Sequence, residues 1–405
     1  MTGRVVIVGA GQAAFALAAK LRALKDTRPI TMIGAEDSLP YQRPPLTKKY
    51  LLGEMSFDRL LFRPEQWYRD NDVEVRLSTW VEEIDRERKQ VKTQDGATIP
   101  YETLVIASGS KPRSLPPSIG GDLRGVYVAR DKNDADLLVD EMRPGRRLLV
   151  IGGGYIGLEA AAVARHLGLE VTVIEMAERI LQRVAARETA DIMRSIHEGH
   201  DVDIREGIGL NHLIGTNGRV SAAELSDGSV IEIDFVIVGI GVTPNDQLAK
   251  EAGLEVGNGI VVDEFARTSD PSIFAIGDCA ILPWRGARVR LESVQNAVDQ
   301  AEAAASVIAG GSEPYQPMPW FWSDQYDVKL QIAGFNMGYD ETLLRAGARE
   351  GSFSIWYFRE GRFIAVDAIN DAKAYVTGKK LLESGVEPNR AILADPQADL
   401  KQLLA

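Results

Sequence analysis

Asp278 and Cys279 stand side by side at the end of the apolar run "IFAIGDCA", Ile273 to Ala280. An acid at a strand end can move a proton or accept hydrogen bonds, and a thiol can act as a nucleophile or redox group. Cys279 is the one cysteine among 405 residues, so a dithiol/disulfide centre within this chain is excluded. Without a partner, the thiol reads as a small buried apolar side chain. The four histidines are His166, His197, His200 and His212. The stretch His197-Glu198-Gly199-His200-Asp201 has metal-binding residue types. It lacks an i, i+4 histidine pair and any nearby cysteine, so it reads as a solvated loop, and no metal site is predicted.

A second set of residues points to phosphate binding. "VVIVGAGQAAFALAAKLRAL" from Val5 and "LLVIGGGYIGLEAAAVARHLG" from Leu148 are two copies of one pattern: apolar strand, glycine turn, small-residue helix. The first carries Gly9, Gly11 and Ala14, with Gln12 and Ala13 between them. The second carries Gly152, Gly154 and Gly157, with Tyr155 and Ile156 between them. The first glycine permits a tight turn, and the second lets backbone approach a pyrophosphate. The third small residue brings helix and strand together. The helix N-terminus then offers N–H groups and a positive dipole end. In the second copy "LEVTVIE" ends in Glu175, 23 residues past Gly152, where an acid binds a ribose 2′-hydroxyl and repels a 2′-phosphate. NADH is therefore preferred to NADPH, with nearby Arg179 weakening the preference. In the first copy "PITMIGAED" sets Ala35 and Glu36 at the strand end, for a ribose or as a solvated loop acid. Two dinucleotide sites suggest two dinucleotides, one FAD and one nicotinamide.

The elements that must hold these residues are those of a soluble globular protein, 45% apolar and 26% charged. The length suits two or three domains. A formal net charge of −12 argues against general nucleic-acid or anionic-membrane binding. No run approaches a membrane span. The chain passes from Met1-Thr2-Gly3-Arg4 straight into a strand, so no leader is expected and the cytoplasm is the expected compartment.

Longer stretches carry a resemblance. "PYQRPPLTKKYLLG" (Pro40 to Gly53), "TLVIASGSKPR", "TSDPSIFAIGDCA" and "PWFWSDQYD" occur in an order similar to that of two-dinucleotide-domain flavoproteins. Within them the chain resembles the NADH-dependent ferredoxin reductases of bacterial oxygenase and cytochrome P450 systems, the putidaredoxin-reductase type. Ser108 stands where that superfamily usually has threonine. The resemblance implies an α/β fold, with two Rossmann-type, glutathione-reductase-like dinucleotide-binding domains and a C-terminal α+β domain. FAD would bind residues 1–114 and 244–322, and NADH residues 115–243. "VIVGIGVTPN" (Val236 to Asn245) marks the return crossing, and 323–405 form the last domain.

The same resemblance implies roles. Lys48 would sit beside the flavin ring, with Glu159 facing it from the nucleotide-domain helix. Asp278, after Gly277, would accept hydrogen bonds from the FAD ribityl hydroxyls. Arg43, Val81, Arg130 and the Ala107-Ser108-Gly109 turn are further FAD contacts. So are Glu292 and Val294 at a helix N-terminus near the flavin. Trp320 and Trp322 lie on one strand-like segment, and one of them is expected to face the ring. Gly241 joins the NAD set. The partner would be a [2Fe–2S] ferredoxin, met by Arg285, Arg288 and Arg290 or by Lys373, Lys379 and Lys380, unless these are solvated faces. Rubredoxin, monodehydroascorbate or oxygen are alternative acceptors, and a redox-sensing interaction module is an alternative role. Glutathione-reductase-type disulfide chemistry is disfavoured by the missing cysteine pair. Whether the chain is a monomer or a dimer stays open.

Overall fold

The computed structural model describes residues 3–404. The chain divides into two compact units. One holds the residues up to Arg43, Ser56–Lys111 and Val242–Pro317. The other holds Pro44–Met55, Pro112–Gly241 and the residues from Met318 on.

The first unit is built on Val5–Val8, four apolar residues buried throughout, three of them valine. β-branched runs of this kind suit a parallel strand covered on both faces. Its sheet is fully parallel, in the order Ile273–Ala275, Thr103–Ile106, Val5–Val8, Ile30–Ile33, Val73–Arg76. Strand order reverses at Val5–Val8: the chain runs outward from it through Ile30–Ile33 and Val73–Arg76, then returns to its other side at Thr103–Ile106. The carboxyl end of such a strand opens a crevice. The helix Gln12–Ala23 turns Ala13, Ala14, Ala16 and Ala18 inward. These small side chains let it pack closely on Val294–Ile308, which buries Ala297, Ala301, Ala304 and Ala305 in the same core.

The second unit repeats this plan. Its parallel sheet runs Val202–Glu206, Glu170–Glu175, Arg147–Ile151, Phe235–Val238, Val126–Tyr127. The reversal falls at Arg147–Ile151, followed by the helix Tyr155–His166. The short segment Pro44–Met55 is anchored here: Leu51 enters the core with Leu138 and Val150, and the Tyr50 hydroxyl donates to Asp136 Oδ1 at 2.5 Å.

The same unit carries an antiparallel sheet, ordered Trp320–Gln325, Val328–Gly334, Arg362–Ile369, Phe353–Arg359, Glu341–Ala346. Against one face lies the helix Ala372–Ser384, with Trp356, Val366 and Leu381 buried between. Leu330, Ile355 and Tyr357 on the sheet pack with Leu158, Ala190 and Met193 of the nucleotide-fold helices. The expected α+β domain is therefore present. Its tail is gathered by Arg345, 5% exposed, whose guanidinium donates to the carbonyls of Ile392, Leu393, Asp395, Pro396 and Ala398. Among the described residues no helix is long and apolar enough to cross a membrane.

Where the sheet meets the helix Arg187–Gly199, Asp367 is fully buried. Its Oδ2 accepts from the Tyr357 hydroxyl and from Thr189 Oγ1 (2.7 Å), while Oδ1 is buried without a hydrogen-bond partner. Burial raises its pKa to about 6 from the ordinary 3.8, against the two hydrogen bonds. Such a carboxyl holds its proton more tightly folded than unfolded. Its contribution to stability is complete below about pH 4 and is lost as pH rises through about 6. Asp367→Asn should gain on the wild type by roughly 1–3 kcal/mol between about pH 4.5 and 7.5. Urea-denaturation midpoints across that range measure it, and a pH-independent gap contradicts it.

Candidate functional site: two glycine cradles and a buried ion pair

Four neighbouring strands of the first unit each deliver predicted residues at their carboxyl ends. Gly9 and Gly11 follow Val5–Val8, and Ala35 and Glu36 follow Ile30–Ile33. Ala107 to Gly109 follow Thr103–Ile106, and Gly277 and Asp278 follow Ile273–Ala275. Gly9 has φ +113°, and a Cβ there would lie 2.2 Å from the Ala107 carbonyl oxygen. The turn is therefore closed to every other residue. Gly11 differs: its φ is an ordinary −97° and a Cβ would meet nothing within 4 Å. Nothing in the chain itself requires glycine there. A backbone kept bare beside open space at a helix N-terminus, with Gln12, Ala13 and Ala14 forming the first turn, fits a dinucleotide pyrophosphate.

Around that cradle the polar groups are interlocked. Ser108 Oγ donates to the Asn245 carbonyl (2.6 Å), and Asn245 Nδ2 donates back to the Ser108 carbonyl (2.9 Å). The lock uses only a hydroxyl, which serine supplies as well as threonine. Ser110 Oγ donates to Asp278 Oδ2 (3.0 Å), and the Gly277 N–H donates to buried Gln300 Oε1 (2.8 Å). Asn245, Ser110 and Gln300 were not predicted from the sequence. Ser110 does lie inside "TLVIASGSKPR" and Asn245 ends "VIVGIGVTPN", whereas Gln300 is marked only by its closeness in space to Gly277.

Glu36 is half-buried in the bend after its strand, where it pairs with Arg43 and accepts from the Tyr41 hydroxyl at 2.5 Å. The backbone N–H groups of Ser78 and Thr79 donate to the carbonyls of Glu36 and Gly34, which brings the chain to Val81 at the start of the next strand. Ser293 caps the helix that begins at Val294, accepting from Asn296 N (3.1 Å), and Glu292 before it pairs with Arg290.

The second unit reproduces the cradle. Gly152 has φ +105° and a Cβ there would lie 2.5 Å from the Gly239 carbonyl oxygen, while Gly154 again faces open space. Gly157 lies against the Gly152 carbonyl, where a Cβ would come within 2.2 Å. Tyr155 packs on Phe321, with ring centroids 5.0 Å apart and its hydroxyl buried without a hydrogen-bond partner, and Ile156 is 45% exposed. Gly241 follows the adjacent strand Phe235–Val238 with φ +97°. Glu175 ends its strand with both carboxylate oxygens on backbone N–H groups, Oε2 on Gly153 and Oε1 on Ala177, each at 2.8 Å. Its remaining lone pairs can accept further donors. Arg179, expected to weaken a preference for an unphosphorylated ribose, is 8% exposed and spends its guanidinium on the carbonyls of Ile180, Ala185 and Ala186.

Lys48, Arg130, Trp320 and Trp322 also belong to the second unit. The helical run Leu46–Tyr50 kinks at Lys48 (φ −131°, ψ −107°), and Lys48 Nζ lies 2.9 Å from Glu159 Oε1. Glu159 is 8% exposed. Burial raises its pKa, while the Lys48 charge and a hydrogen bond from Ser323 oppose that rise. The expected pair is thus in contact. The Arg130 backbone N–H donates to Asp134 Oδ2 (2.9 Å). Trp320 and Trp322 are two residues apart on a strand and so share a face. Their ring centroids are 5.5 Å apart, with Lys379 Nζ 5.6 Å from the Trp320 ring.

One expectation is corrected, the solvated loop at His197. His197 lies in the helix Arg187–Gly199 and is fully buried, because that helix turns one face onto the C-terminal sheet. In the arginine cluster Arg288 pairs with Glu255, Arg290 with Glu292, and Arg285 stacks on Trp284. Cys279 is fully buried, its Sγ against the carbonyls of Ile106 and Ile276, and burial pushes its pKa up. Such a thiol is inert. A thiol reagent such as dithionitrobenzoate should fail to titrate it in the folded protein and react with one equivalent after denaturation. Fast reaction of the native protein would show that the thiol is accessible.

Against this geometry, the pyridine nucleotide-disulphide oxidoreductase family matches residues 3–301 and the reductase C-terminal family matches residues 320–404. The chain is 42% identical to a ferredoxin–NAD(P)(+) reductase of Sphingomonas sp., covering 99% of this chain and 97% of that one. Its fold is similar to that of the ferredoxin reductase for the CYP199A2 system of Rhodopseudomonas palustris (39% identity, TM-score 0.95, 100% of both chains). It is equally similar to a chain of the covalent putidaredoxin reductase–putidaredoxin complex (36% identity, TM-score 0.96, 99% of this chain and 98% of that one). With both family matches, two cradles and no cysteine pair, the chain belongs to the pyridine nucleotide-disulphide oxidoreductase family, as an enzyme carrying the reductase C-terminal domain.

Proposed function

We propose that this oxidoreductase takes hydride from NADH onto FAD and passes single electrons to a [2Fe–2S] ferredoxin that supplies a P450 or another oxygenase. The observation that carries the reading is the duplicated cradle. Gly11 and Gly154 are glycines that the chain's own packing does not need, each beside open space at a helix N-terminus. A bound flavin supplies the conversion between hydride and single electrons. The chain itself needs to bind, align and set charge, and hydride transfer requires no general acid or base.

Residues 1–114 and 244–322 are read as the FAD-binding module, 115–243 as the NADH-binding module, and 323–405 as the C-terminal domain. Asp278 accepts from ribityl hydroxyls, and Glu175 accepts from the nicotinamide dinucleotide's ribose. Lys48 is the cation that favours electrons on the ring, with Glu159 as its counter-ion. The likeness to the Sphingomonas ferredoxin–NAD(P)(+) reductase and the putidaredoxin complex of the structural neighbour support a ferredoxin as acceptor. The lone buried cysteine fits work in the reducing cytoplasm.

The test is turnover. NADH should drive rapid ferricyanide reduction by the FAD-loaded enzyme, and cytochrome c reduction should become rapid only when a [2Fe–2S] ferredoxin is added. Stimulation by rubredoxin, and by no [2Fe–2S] ferredoxin, would reassign the acceptor. For the cofactor, Glu175→Ala should raise KM for NADH about tenfold and narrow the gap to NADPH, since a good hydrogen bond to an ion is worth roughly 1.5–3 kcal/mol. An unchanged NADH/NADPH ratio of kcat/KM would remove Glu175 from the ribose.

A further inference from the structure

The Lys48–Glu159 pair is the end of a longer buried chain of hydrogen bonds. Ser323 Oγ donates to Glu159 Oε1 at 2.7 Å, the same oxygen that meets Lys48. Gln325 Nε2 donates to Ser323 Oγ at 3.0 Å. Gln325 Oε1 and His197 Nε2 are 2.7 Å apart, and His197 Nδ1 lies 3.1 Å from the Tyr326 hydroxyl. Ser323 and Gln325 are each 1% exposed and His197 is fully buried. The pleat explains the alignment. Residues 321, 323 and 325 share one face of the strand Trp320–Gln325, and they meet Tyr155, Glu159 and His197 in turn.

Counting protons gives this chain a direction. Ser323 has one hydroxyl proton, and it goes to Glu159. Gln325 must then donate to Ser323 through its amide nitrogen and accept from His197 through its carbonyl. That leaves His197 with its proton on Nε2 and Nδ1 free to accept from Tyr326. Every donor points toward Glu159. We propose that Ser323, Gln325 and His197 are positioning residues that fix Glu159 as an anion with Oε1 turned to Lys48, so that the C-terminal domain sets the charge state of the pair. The proposal rests on the reductase reading for the purpose of that pair, but the network's direction does not.

Burial pushes the His197 pKa down to about 4, so the imidazole stays a neutral link over the working range. The charges acting on Glu159 are Lys48, from Leu46–Tyr50, and Asp324, the neighbour of Ser323, which opposes ionisation. His197 reaches it only through Gln325 and Ser323. Without the Ser323 hydroxyl, Glu159 loses a bond made to its charged form. Its pKa then rises and the ion pair fails at higher pH.

Two measurements on the FAD-loaded protein test this. Nitrogen NMR of histidine-labelled protein, assigned with His197→Asn, should show His197 as the neutral Nε2–H tautomer down to about pH 5. The Nδ1–H tautomer, or titration near the ordinary 6.5, would overturn the network. In stopped-flow reduction by NADH, Ser323→Ala should move the acid limb of the rate profile up by roughly one pH unit, and Ser323→Thr should restore it. An unmoved limb would overturn the positioning role. If NADH reduces the flavin in none of the proteins, wild type included, the reductase reading falls, while the His197 tautomer still decides the network.

Discussion

Both nucleotide folds turn on a contact that no side chain can enter. At Gly9 and at Gly152 the strand leaves its sheet with positive φ, and the missing Cβ would fall 2.2 and 2.5 Å from a carbonyl of the adjacent strand's turn. That approach draws the turns of neighbouring strands together at the point where strand order reverses. The helix N-terminus that follows is then aimed over the crevice. The rest of each site inherits its place from this turn. Ala107 to Gly109 belong to the opposing wall in the first unit, and Gly241 follows it in the second. Glu36 and Glu175 stand at the ends of the next strands over, one sheet position away.

A buried carboxylate imposes the second constraint. Glu159 lies on a helix whose neighbours are mostly alanine and leucine, where water cannot solvate its charge. Leaving such a group unpaired costs about 3–5 kcal/mol. The fold meets that cost with donors from two other stretches of chain, Lys48 from Pro44–Met55 and Ser323 from the C-terminal sheet. Pro44–Met55 is held by more than this pair. Leu51 in the core and the Tyr50–Asp136 hydrogen bond fix its path, so the lysine meets the carboxylate from an already ordered loop. Preorganisation of this kind lowers the entropy lost when a charge is held in place.

What was legible in the sequence follows from locality. The strand–glycine–helix copies are read within about 20 residues, because turn, helix start and sheet packing are all set by near neighbours. Glu175 was legible for the same reason. The Lys48–Glu159 contact spans distant stretches and came only through resemblance. Ser323 lies inside "PWFWSDQYD", yet nothing in that run sets it apart: a serine between Trp322 and Asp324 reads as strand filler until its face is known. His197 went wrong for a related reason. "HEGHD" looks polar in one dimension, yet the helix Arg187–Gly199 ends there with His197 on its buried face. For the indoles the strand period decides the neighbourhood: residues two apart share a face, so Trp320 and Trp322 lie side by side with ring planes tilted by 32°.

The strand end at "IFAIGDCA" shows how one turn separates two chemistries. Gly277, with φ +75°, rotates the chain so that successive side chains part company. Asp278 remains partly exposed and takes a hydrogen bond from Ser110, whereas Cys279 goes fully inward against two carbonyls. A thiol there loses reactivity with its solvation, because the thiolate is the nucleophile and burial disfavours it. A carboxylate held at the crevice keeps lone pairs for hydroxyl donors. The acid can therefore serve binding whatever the acceptor is, and the thiol is confined to packing. In this member of a family named for disulphide chemistry, both cradles stand without a cysteine pair.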